Sequence, residues 1–142
     1  MSRYWLMLCL LLVFSFSTSG CFSTNEAYYY SVTDPEDNSN SIETSDVLFA
    51  LTLDSGGADM DISDLVVIIE PNGASHTCVT SGTGGNCTVV QSGSDDSLWE
   101  IGEVLNITEN GVDICSQHCI LYFSVDGPED FKVTGPTILN TT

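Results

Sequence analysis

An antiparallel β-sandwich is the fold the sequence predicts, and three observations predict it. Apolar residues recur at every second position in short runs. No stretch beyond the N-terminal 20 residues carries an apolar stripe at helical spacing, and Gly-, Asn-, Pro- and Ser-rich turns separate the runs at short intervals. The chain has 142 residues and is 42% hydrophobic, enough for one domain with a real core and against general disorder.

The first element is not part of the sandwich. Arg3 opens a short basic region, Leu6 to Phe16 is an apolar run, and Ser17-Thr-Ser-Gly20 leads into Cys21. The apolar run has the length of a secretory signal and falls short of the about 20 residues a spanning helix needs. Residues 1–20 are therefore read as a signal peptide and residues 21–45 as an acidic tether containing Asp34-Pro-Glu-Asp-Asn-Ser-Asn-Ser41. Within that tether, Tyr28, Tyr30 and Val32 share one parity. They predict an edge strand packed on the domain, with a sticky tyrosine platform as the competing reading.

The sandwich is expected over residues 46–142. Val47, Phe49, Leu51 and Leu53 alternate with Leu48, Ala50 and Thr52. An acidic turn with Gly56 and Gly57 follows, and Ile62 is expected to fold back as a plug. Leu65 to Ile69 is a continuous β-branched run that suits a strand buried on both faces. Pro71-Asn-Gly73 is a turn signal. Ser75 to Thr80 and Cys87 to Gln91 read as two arms of a hairpin with a Gly-rich tip. Trp99 is a core residue before a turn at Gly102, and Leu105 and Ile107 share a face. Asn110-Gly111 is a tight-turn dipeptide. Leu121, Phe123 and Val125 line one face of a strong strand. Gly127-Pro128 turns the chain into two closing strands, Phe131 to Thr134 and Thr137 to Leu139. The expected core is Phe49, Leu51, Val67, Ile69, Trp99, Leu105, Ile107, Leu121 and Phe123.

Charge excludes some partners. The chain carries 20 acidic against 2 Lys and Arg, net −18; without Arg3, one basic side chain, Lys132, faces those 20, net −19. Such a surface repels nucleic acid and anionic headgroups and attracts cations. It also repels copies of itself, less so in concentrated salt, so seawater or brine suits the composition.

Candidate chemistry comes from three residue types. Cys78, Cys87, Cys115 and Cys119 form an even set in an exported chain, which points to disulfides. Four cysteines allow three connectivities; local geometry favours Cys78 with Cys87 across the hairpin and Cys115 with Cys119 across a short turn. Zinc is the competing use: Cys115-Ser-Gln-His-Cys119 has ligand spacing and His76 or His118 could substitute, but Cys78 and Cys87 are too far apart for a knuckle. Asp54, Asp59, Asp61 and Asp64 crowd one turn. Calcium is the cation such oxygens would take, although the spacing is not that of an EF-hand. Asn86, Asn106 and Asn140 each open an N-x-[ST] sequon, with Asn106 on the outward face of its strand.

Two stretches resemble known families. Ser19-Gly20-Cys21 resembles the lipobox of lipoprotein signal peptides, with Thr18 where that motif carries an aliphatic residue. The resemblance implies a lipid on Cys21 and hence a membrane anchor. Leu51-Thr-Leu-Asp-Ser-Gly-Gly57, Met60-Asp-Ile-Ser-Asp-Leu-Val-Val67 and Trp99-Glu-Ile-Gly-Glu-Val-Leu-Asn-Ile-Thr108 resemble the outer domain of archaeal pilins and archaellins. That resemblance implies an immunoglobulin-like sandwich on an archaeal cell surface. The N-terminus departs from it: Arg3 is followed by Tyr4 rather than Gly, and no long apolar helix follows.

The function these readings predict is an exported, lipid-anchored sandwich at the outer face of the cytoplasmic membrane, structural or adhesive. Its expected partners are the membrane and other surface proteins or glycans. A pilin-like filament subunit is the second reading and a small extracellular enzyme the third. No catalytic constellation or phosphate-binding loop is present in the sequence, so no enzyme activity and no organic cofactor are expected.

Overall fold

A computed structural model describes residues 27–34, 44–81, 84–93, 97–116, 119–128 and 131–140. Residues 1–20, read as a signal peptide, Cys21 and most of the segment read as a tether lie outside the described residues.

Among the described residues the fold is all-β, and the strands pair antiparallel in two four-stranded sheets and one small two-stranded sheet. Sheet one has the order β1-β2-β8-β6, formed by Tyr29–Thr33, Val47–Ser55, Val104–Glu109 and Cys87–Ser92. Sheet two has the order β10-β9-β4-β5, formed by Lys132–Asn140, Ile120–Asp126, Val66–Pro71 and His76–Cys78. The small sheet pairs β3 (Met60–Asp61) with β7 (Leu98–Trp99).

Period-two alternation sends one set of side chains from each sheet into the space between them. All nine expected core residues are buried, none more than 2% exposed. Phe49 of sheet one meets Phe123 of sheet two with ring centroids 4.7 Å apart. A fully buried apolar side chain of this size contributes roughly 1.5–3 kcal/mol. Trp99, of the small sheet, is fully buried in the core and donates its indole N–H to the Glu103 carbonyl at 3.0 Å. Ile62, in a single 3-10 turn, is buried, as the plug reading expected.

Several expectations need correction. Leu65 to Ile69 is not buried on both faces: Val67 and Ile69 point inward, Val66 is exposed and Ile68 is partly exposed. The sheet pairs on both sides of β4, but one of its faces meets solvent. In β2, four consecutive residues from Leu48 to Leu51 are buried, and the register to β8 shifts between Val47 and Phe49. The two closing strands are one, β10, with register shifts on both sides of Thr134. The tyrosine strand is β1 at the edge of sheet one, so the sandwich recruits a strand from the segment read as tether.

The hairpin reading also fails, although its cysteines do pair. β5 pairs with β4 in sheet two, and β6 pairs with β8 in sheet one. The two strands meet only at the seam between the sheets, through a parallel bridge of Val79 and Thr88. The chain changes sheets there instead of turning back on itself.

Candidate functional site

The sandwich has two outer faces and two seams, and the sequence-predicted site residues fall on different parts of it. Cys21 and His118 lie outside the described residues. Cys78–Cys87 is a disulfide with Cα atoms 4.6 Å apart, tying β5 of sheet two to β6 of sheet one. Cys115–Cys119 is a second, with Cα atoms 6.0 Å apart. These bonds use all four sulfurs that the zinc reading required. His76 instead lies 3.0 Å from the Asn86 side-chain amide through Nδ1.

The acidic turn spreads its carboxylates. Asp61 accepts from both the backbone N–H and the hydroxyl of Ser63 at 2.9 and 2.8 Å, capping the 3-10 turn, and these bonds hold its carboxyl below the usual range. Asp54 accepts from Ser31 Oγ at 3.1 Å across to β1. Asp59 and Asp64 are exposed. Among the described residues no three His, Cys, Asp or Glu side chains converge as metal ligands.

The sequons also separate. Asn106 is on the outer face of sheet one and donates to Ser92 Oγ at 2.6 Å. Asn86 is partly buried beside His76, and Asn140 is exposed at the end of β10.

The most distinctive surface was not singled out from sequence. Eight large hydrophobic side chains are exposed among the described residues, and four of them, Val66, Ile120, Tyr122 and Ile138, lie on the outer face of sheet two. Register places them in rows: Ile138, Tyr122 and Glu70 lie side by side, with Ile120 beside Asn140 and Ile68 beside Ser124. Ile68, Glu70, Tyr122, Ser124 and Pro136 frame a shallow dimple of about 70 Å³. Glu70 is the acid within this patch; Asp126, at its margin, pairs with Lys132. A signal was present in Ile120-Leu-Tyr-Phe123, where both parities are apolar, so one apolar set must face outward.

At the end of β8, Glu109 occupies an inward position that the Leu105, Ile107 parity reaches next, and it is 3% exposed. Its Oε1 accepts the backbone N–H groups of Ile114 and Cys115 at 2.7 and 3.0 Å. Burial pushes its carboxyl above the usual range, against the pull of those two N–H groups.

No protein-family model matches the chain, and neither a curated protein nor a solved structure matches it. Among the described residues no helix is long and apolar enough to cross a membrane.

Proposed function

We propose that this chain is an exported surface protein, anchored by a lipid on Cys21, that uses the outer face of sheet two to hold a neighbouring surface protein. The observation that carries the reading is the exposed apolar row of Val66, Ile120, Tyr122 and Ile138 on that face of a chain of net charge −18. An exposed apolar patch with a polar rim is the usual mark of a contact surface. Glu70 beside Tyr122 and Ile138 gives it a single acid at the centre, complementary to a partner with apolar side chains around one basic residue. The disulfides suit an oxidising compartment outside the cell.

The strand order supports the immunoglobulin-like part of the reading. β1-β2-β8-β6 over β5-β4-β9-β10 follows the A-B-E-D and C′-C-F-G arrangement of that class. Its usual disulfide between strands B and F is replaced here by bridges at other positions. A pilin-like subunit is the second reading, carried by the three quoted motifs and this strand order.

The full chain, Cys21→Ser, and the double variant Tyr122→Ser with Ile138→Ser should be compared in one host. Cys21→Ser should leave the membrane fraction for the medium. The double variant should stay at the membrane yet lose cell-to-cell adhesion, and Glu70→Lys should lose it too. Equal membrane partitioning of Cys21→Ser would end the anchor reading, and full adhesion by the double variant would end the assignment of the face. Adhesion blocked by free sugars would replace the protein partner with a glycan, and filaments under the microscope would favour the pilin reading.

A further inference from the structure

Sheet one turns a nearly uncharged surface outward. Its four strands hold two of the chain's 20 acidic residues, Asp54 and Glu109, and no Lys or Arg. Glu109 is buried, and Asp54 sits near the end of β2, where it accepts from Ser31 Oγ. Period two puts Asn106 and Thr108 on this face and sends Ile107, fully buried, into the core between them. Strand register sets Asn106 in a row with Ala50 and Thr33 on one side and Val90 on the other. Thr88 lies beside Thr108 in the next row. These neighbours are short and uncharged.

We propose that Asn106 carries an N-linked glycan, added at the Asn106-Ile-Thr108 sequon, that covers the outer face of sheet one. The proposal rests on the export part of the function proposed above, since the modification is made on an exported chain. In the reaction, Asn106 Nδ2 bonds to the anomeric carbon of a sugar carried on a lipid-linked phosphate. The bond from that carbon to the phosphate oxygen breaks, the phosphate leaves with the electron pair, and Nδ2 gives one proton to a base of the transferase. The amide keeps its second N–H, which is enough to go on donating to Ser92 Oγ, 2.6 Å away. A glycan is bulky and hydrophilic, so it hydrates a face that has almost no charge of its own.

The fold separates this sequon from the other two. Asn86 lies at the seam, with Nδ2 3.0 Å from His76 Nδ1 and its backbone carbonyl accepting the Asn110 N–H. Cys87, inside the Asn86 sequon, is fully buried in the disulfide to Cys78. Asn140 stands beside Ile120 on sheet two, where a glycan would shade the face assigned above to a protein partner. A glycan on Asn106 leaves that face bare. Strand β8 is central, paired with β2 and β6, and Asn106 is half-buried. The transferase therefore meets the sequon as an extended segment before the sheet closes.

The test is mass spectrometry on the full chain isolated from the cells that make it. Unfolding, reduction and cleavage after glutamate release Val104–Glu109, bounded by Glu103 and Glu109 and holding this sequon alone. The peptide should carry the added mass of one or more sugar residues, and its fragments should place that mass on Asn106. Asn106→Gln and Thr108→Ala should each lose it, and Thr108→Ser should keep it, since serine also completes the sequon. The two Thr108 variants decide the matter even if Asn106→Gln fails to fold. An unmodified peptide from a chain that lacks residues 1–20 and has its disulfides formed overturns the glycan and leaves export standing. Residues 1–20 still attached, with free thiols, would end the export reading and the glycan with it. Sugar that persists in Asn106→Gln is on a hydroxyl, and sugar found on Asn86 or Asn140 in place of Asn106 is at another sequon; either overturns the assignment.

Discussion

The two seams of the sandwich are closed by different chemistry. Between β5 and β6 the closure is covalent: Cys78–Cys87, both sulfurs buried, reinforced by the Val79 and Val89 N–H groups across the seam. Between β1 and β10 it is reversible. Tyr30 bonds the hydroxyls of Thr134 at 2.5 Å and Thr137 at 3.2 Å, and Tyr28 sets its ring edge-on to Phe131 at 5.4 Å. The difference follows from what each edge offers. The β5–β6 connection contains the Gly-rich Ser81-Gly-Thr-Gly-Gly85 stretch, which is costly to order, so a crosslink that shortens the free loop helps most there. The β1 edge has large side chains to spend on packing. It is also the edge that holds β1, the first described strand, so under the anchor proposal any pull from Cys21 reaches the hydrogen-bonded seam first.

Several changes would break or sharpen this contrast. The largest effect is expected from Cys78→Ser with Cys87→Ser, which should lower stability by about 2–3 kcal/mol in denaturant melts. An unchanged midpoint would mean the bridge and backbone contacts close the seam without the sulfurs. Next is Gly56→Ala. The Tyr28 ring lies where a Cβ on Gly56 would stand, and the Tyr28 hydroxyl reaches the Ala58 carbonyl at 3.1 Å. The ring must move, with an expected cost of about 1–3 kcal/mol and a changed Tyr28 environment in NMR spectra. If Tyr28 keeps its native signals, the contact is not tight. Tyr30→Phe should cost about 0.5–1.5 kcal/mol by removing its hydroxyl from the Thr134 and Thr137 pair. A larger loss than the disulfide variant would reverse the ranking of the seams. Lys132→Ala should fall within about 0.5 kcal/mol, because its pair with Asp126 is exposed on the lysine side.

How much of this was legible from the residues depends on the range of the interaction that decides each feature. Strand parity is local. Phe49, Leu51, Leu105, Ile107, Leu121 and Phe123 declare their inward direction from period two alone, and Asn72 and Gly73, both at positive φ, declare the turn between β4 and β5. The turn at Gly102, with φ of +89°, is legible for the same reason.

Which sheet a strand joins is not local. The spacing of Cys78 and Cys87 suggests a hairpin, yet they meet at the seam between the sheets, because β5 pairs with β4 and β6 with β8. Gly56 looked like a turn residue, and its neighbour Tyr28, 28 positions upstream in sequence, supplies the actual constraint. Glu109 carried a parity signal, since it follows Leu105 and Ile107 inward. Its role still depended on a turn that returns Ile114 and Cys115 to it. The sequence by itself therefore determined the all-β class, the core and the strand directions, because each rests on alternation within a few residues. Only the tertiary structure decided the seams, the bare face of sheet two and the buried carboxylate, because each is made by side chains that no short stretch brings together.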